Sequence, residues 1–203
     1  METNLNHEQS LTLINEMISR ARNNVQKERR YPLLFWGYTI ATVAILNYVL
    51  LYVLCNPNLS FWVWCLMLPA WGLSYFIDRK IHRTALVKTH IDRIGDGVWK
   101  GYGIGVGVFL FTIFAAAFRL QSPVLFSLVT PVILIMVGIC EYASACIYRF
   151  TPWYRVAALL GAGAIACAFV PVQVHFLILA LCMILGFVVP GHLLNRQTKK
   201  NHV

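Results

Sequence analysis

Residues 33–54 run for 22 positions without a charged side chain, and five more stretches of the chain come close to repeating this. A helix needs about 20 mostly apolar residues to cross the hydrocarbon core of a bilayer. Repeated six times in 203 residues, the pattern leaves little chain for a water-soluble core. Composition agrees: 59% of residues are hydrophobic and 12% charged, where soluble domains carry roughly 45–50% and about 25%. Mean hydropathy is +0.65. A domain of this size has too little interior to hide so much apolar surface from water. Unpaired backbone groups are costly in lipid, so each crossing segment is expected to be a helix.

The expected spans are residues 33–54, 59–77, 102–118, 123–148, 156–172 and 174–194. Lys and Arg collect in cytoplasmic connections of membrane proteins. Arg20, Arg22, Lys27, Arg29 and Arg30 precede the first span, and six more cations lie between the second and third. Arg149 and Arg155 flank the fourth connection, and Arg196, Lys199 and Lys200 follow the sixth span; Arg119 alone lies on the opposite side. This asymmetry predicts both termini in the cytoplasm and three hairpins with short outer turns. It also accounts for the net charge of +9 without a nucleic-acid partner. Trp36, Trp99 and Trp153 fall at inner boundaries and Trp62 and Trp64 at an outer one, where indoles favour the interface.

Two cytoplasmic amphipathic helices are expected besides the spans. In residues 1–32, Leu11, Ile14, Met17, Ile18, Ala21 and Val25 share one helical face, after Asn6 and Gln9 as a neutral analogue of a capping box. In residues 79–100, Ile81, Val87, Ile91, Ile94 and Val98 recur at helical intervals. Such helices either lie on anionic lipid or bind protein, a second copy included. Residues 195–203 form a basic tail.

Glu141 is the only charged residue inside an expected span. A carboxyl at such a position costs roughly 2.5–3.5 kcal/mol on insertion scales, which makes it a candidate polar site. It stands seven residues before Tyr148, about 10 Å from the inner end. Gly138, Ser144 and Ala145 lie on its face, so a neighbouring helix can approach and Glu141 is expected to point into the bundle. Ser144 and His192 complete the candidate polar site, with Tyr38, Tyr75, Tyr102 and Ser74 at compatible depth. One reading is a proton or cation site; the other is an acid that holds two helices together.

Gly101, Gly103, Gly105 and Gly107 open the third span. They lack the Lys-Ser/Thr ending of a phosphate loop and follow no strand. Read as helix, they give Gly101/Gly105 and Gly103/Gly107 as one-turn pairs for close helix packing, with Gly138 in the same role.

Enzyme signatures are missing: there is no HExxH, no GxSxG and no intramembrane acidic pair. The six cysteines form no CxxC pair and sit in or beside apolar runs, where free Cys acts as a small hydrophobe. His82, His90, Asp78, Asp92 and Asp96 match no zinc spacing. No metal and no cofactor are expected.

Three segments carry a family resemblance. Residues 10–18 (Ser10 to Ile18) precede Leu34-Phe35-Trp36-Gly37; Ile91-Asp92-Arg93 precedes Val98-Trp99; and the last span closes with Val189-Pro190-Gly191-His192-Leu193-Leu194-Asn195. Together they resemble a group of uncharacterised multi-pass inner-membrane proteins of Bacteroidota, often found beside a small winged-helix regulator. The resemblance covers nearly the whole chain. It implies an inner-membrane location and a regulatory partner, and supplies no catalytic residue; Glu141 lies outside it. The sequence thus reads as an all-α, polytopic membrane protein of six transmembrane helices. Its expected role is a non-enzymatic scaffold or partner-binding protein, with a small transporter or channel using Glu141 as the alternative. Its expected partners are the bilayer and either a second copy or a cytoplasmic protein.

Overall fold

A computed structural model of the chain describes residues 11–12, 31–55, 57–84 and 90–193. Within them it is all helical, and four helices are long and apolar enough to cross a membrane. These are α1 (Tyr31–Val53), the apolar part of α4 (Arg93–Leu120 within His90–Leu120), the segment Pro123–Tyr148 that contains α5 (Val129–Tyr148), and α7 (Val172–Leu193). Between them lie α2 (Pro57–Trp64), α3 (Met67–Thr84) and α6 (Thr151–Cys167). Of the expected N-terminal amphipathic helix, Leu11 and Thr12 are helical and the rest lies outside the described residues, as does the basic tail.

The expected second span, 59–77, is two helices instead of one. Cys65 N–H donates to Trp62 O at 3.0 Å and Leu66 N–H to Val63 O at 3.1 Å, so the chain tightens at the end of α2. Pro69 has no N–H to offer the Cys65 carbonyl four residues back, and Leu68 N–H takes that carbonyl at 3.1 Å. The apolar stretch Trp62–Ile77 is correspondingly short.

The expected cytoplasmic helix over 79–100 is described only in part, residues 85–89 lying outside the described residues. Residues 79–84 complete α3, and residues 90–100 open α4 without a break into the glycine-rich span. At 31 residues and 1.5 Å per residue, α4 is about 46 Å long, well beyond a hydrocarbon core of about 30 Å. With no proline or capping signal between Asp96 and Tyr102, nothing in the sequence stops the helix at the membrane surface.

The chain leaves α1, α4 and α5 through left-handed residues. Cys55, Gln121 and Arg149 have φ of 51°, 50° and 49°, where glycine is usual. At α4 the cost is offset by Gln121 Nε2 donating to Phe118 O at 2.7 Å and Ser122 N–H to Ala117 O at 3.2 Å. At α5, Phe150 N–H donates to Ala145 O at 3.2 Å, and Pro152 then opens α6 in its first turn.

α5 and α6 form the most extensive helix pair, with α4 on α5 and α7 on α6. α1 runs antiparallel to α7: Gly191 lies under Leu34, Gly37 under Phe187 and Val188, and Tyr52 meets Phe176 with ring centroids 6.5 Å apart. α7 widens into a π-turn over Ile184–Val188, with Val189 N–H donating to Ile184 O. Pro190, one residue on, has no N–H for the Gly186 carbonyl, so the wide turn falls where the helical ladder is already interrupted. The core between the pairs is Ala44, Leu134, Ala145, Trp153, Leu160, Met183 and Phe187.

Candidate functional site

The α5 face bearing Gly138, Glu141, Ser144 and Ala145 repeats every three to four residues, so all four fall on one stripe. The structure turns that stripe into the α5–α6 seam. A Cβ on Gly138 would stand 3.4 Å from Ala157 O and 3.5 Å from Leu160 Cβ, so the two backbones approach closely there. One turn further along the same stripe, Glu141 is 1% exposed and Ser144 0%. Glu141 Oε2 is sealed from solvent, and Ser144 Oγ is buried without a hydrogen bond. Glu141 and Ser144 therefore share one dry position between helices.

His192 belongs to a different seam. It is exposed, and its Nε2 shares a hydrogen bond of 2.7 Å with Tyr38 Oη, the rings meeting edge to face at 6.0 Å. Two side chains that the sequence offered as neighbours of Glu141 are thus bonded to each other, across the first and last long helices. Gly37 and Gly191 flank the bond and let α1 and α7 close on it. The segments Leu34–Gly37 and Val189–Leu193 meet here.

Of the α4 glycines, Gly105 faces α5: a Cβ there would come within 2.8 Å of Met136 Cε. Gly101, Gly103 and Gly107 face open space. Another helix's backbone comes within 4 Å of an added Cβ at Gly37 and Gly138, while side chains of neighbouring helices fill the space over Gly163, Gly186 and Gly191. Gly37 pairs with Ala41 at small-xxx-small spacing, whereas Gly191 has Phe187 and Asn195 at those positions, so spacing gives no signal for it.

A second buried polar position lies near the α6–α7 turn. His175, 5% exposed, donates from Nε2 to the Cys167 carbonyl at 2.8 Å, and its Nδ1 is buried without a hydrogen bond. Cys167 is the last residue of α6, where carbonyls lack helical partners, so the imidazole caps that end. Among the described residues no three His, Cys, Asp or Glu side chains converge as a metal centre would require.

Among the described residues the geometry defines an all-helical protein with four helices long and apolar enough to cross a membrane. No family model matches the chain, and neither a curated protein nor a solved structure is significantly similar to it.

Proposed function

We propose that the chain threads a bacterial inner membrane six times, as three hairpins with both termini cytoplasmic, and acts as a non-enzymatic scaffold that binds a cytoplasmic regulatory protein. The observation that carries the scaffold reading is Glu141, 1% exposed in the α5–α6 seam. An acid that works on an ion must be reached by water, whereas one that holds helices together is best kept dry. Antiparallel α1 and α7 support ends on one side of the membrane, and α6, at 17 residues, is about 25 Å long, within reach of a thin crossing. The bias of cations and the resemblance to Bacteroidota inner-membrane proteins support the orientation and location.

Partner binding would fall to the cytoplasmic segments, since the membrane-embedded polar groups are occupied by packing. Removing residues 1–28 is expected to abolish co-purification of the partner while the chain still inserts; an unchanged complex would sink this reading. A transporter is the second reading, favoured by the break between α2 and α3 at Cys65–Leu66, because interrupted helices line ion sites. It requires that Glu141→Gln change flux through reconstituted vesicles, whereas the scaffold reading expects none.

A further inference from the structure

One stripe of α5 turns away from the bundle. Ile135, Ile139, Tyr142, Cys146 and Arg149 follow one another at intervals of three or four residues, and all are exposed. Its chemistry changes in order, from aliphatic through phenol and thiol to guanidinium. α6 borders the same face: the Tyr154 ring meets the Tyr142 ring edge to face at 5.3 Å, and Tyr154 Oη donates to Cys146 Sγ at 3.4 Å. Two turns further along α6, on the side of Tyr154, Gly161 has no atom within 4 Å of an added Cβ, so the surface over the helix pair is open there.

Arg149 stands at the end of this stripe on a fixed turn. Tyr148 and Phe150 on either side of it both pack on Trp153, with ring centroids 5.8 and 5.2 Å away, and Arg149 is left exposed between them. Arg155, one turn into α6, is exposed as well. The sequence holds no acidic residue after Glu141, and Glu141 is buried on the opposite face, so the exposed side of this hairpin offers the two arginines no carboxylate. The N-terminus of α6 adds little to them, because Pro152 has no N–H and Trp153 N–H donates to Phe150 O at 3.2 Å.

We propose that this face of the α5–α6 hairpin binds one anionic diacyl phospholipid. Arg149 and Arg155 hold the phosphodiester, Tyr142 and Tyr154 stand beside the glycerol esters, and an acyl chain runs along Ile139 and over Gly161. Guanidinium groups match phosphate oxygens with paired, charge-assisted hydrogen bonds, and basic sites between spans suit such headgroups. Tyr142 lies seven residues from Arg149, about 10 Å along the helix, which puts the phenols below the headgroup at the edge of the chains. A zwitterionic headgroup sets its own ammonium against the arginines and fits less well. Inorganic phosphate shares the headgroup chemistry and lacks the chains. The site rests on α5 and α6 forming a membrane hairpin and is independent of the scaffold reading.

Native mass spectrometry of the full chain, released from detergent after equilibration with equal amounts of phosphatidylglycerol and phosphatidylethanolamine, tests the site. One phosphatidylglycerol is expected to remain bound in preference to the other lipid. Arg149→Gly removes the charge and suits the left-handed backbone at φ 49°, so the turn survives. It is expected to weaken retention about fivefold, as is Arg155→Gln, which is what one cation near an anionic surface contributes. Arg119→Gln, at the far end of α4, should leave retention unchanged, and excess inorganic phosphate should not displace the lipid. Equal retention of both lipids by the native chain, undiminished retention in Arg149→Gly, or displacement by inorganic phosphate would overturn the site. Binding in micelles does not depend on which side of the membrane the turn faces, so an error in orientation would leave this result standing.

Discussion

Glycines decide how close these helices come, and they fall into two groups with opposite consequences. At Gly37 an added Cβ would stand 2.8 Å from Phe187 Cβ and 3.3 Å from Val188 N, so the backbone of α7 would have to move. Gly37→Ala is expected to destabilise by about 1–3 kcal/mol, the usual cost of overpacking. At Gly101 nothing lies within 4 Å, and Gly101→Ala should stabilise by up to about 1 kcal/mol through helix propensity. Unfolding midpoints in detergent check both; equal shifts would mean that α1 and α7 do not meet as described. Residue-level reading of the sequence was good where a polar residue had small neighbours. Gly138, Ser144 and Ala145 beside Glu141 announce a helix contact, because only small residues leave room for one. It was poor for Gly37 and Gly191, whose partners Phe187 and Leu34 are 150 and 157 residues away and are set by the folding of the whole bundle.

Elements were legible wherever hydrophobicity alone decides them and less so wherever a single backbone group does. The long apolar runs become α1, the apolar part of α4, α5 with its leading turn, and α7. The break in the second run depends on one missing amide at Pro69, which hydropathy does not register. Pro69→Ala restores that amide, and the alanine N–H is expected to bond the Cys65 carbonyl and fuse α2 with α3. Hydrogen exchange across residues 65–69 should then slow, since an interior proline costs about 3 kcal/mol or more of helix. Unchanged exchange would mean that the turn is held by something other than the proline. The merging of 90–100 into α4 has the converse cause: polar residues change what a helix faces, and without a stop signal they do not end it.

For the molecule as a whole, the fold supports a bundle in which α5 and α6 form the centre, α4 and α7 flank them, and α1 closes on α7 through Gly37, Gly191 and the Tyr38–His192 bond. Large apolar side chains left exposed, such as Phe111, Phe118 and Phe169 at 77%, 80% and 83% exposure, suit lipid and are unfavourable in water. The account rests on six crossings with both ends in the cytoplasm, and cysteine accessibility in intact cells tests it most directly. In a background without other cysteines, Cys55 and Gln121→Cys should react with a membrane-impermeant maleimide added outside, and Thr151→Cys and His202→Cys only after the cells are opened. Labelling of His202→Cys from outside, or protection of Cys55 and Gln121→Cys, would contradict it.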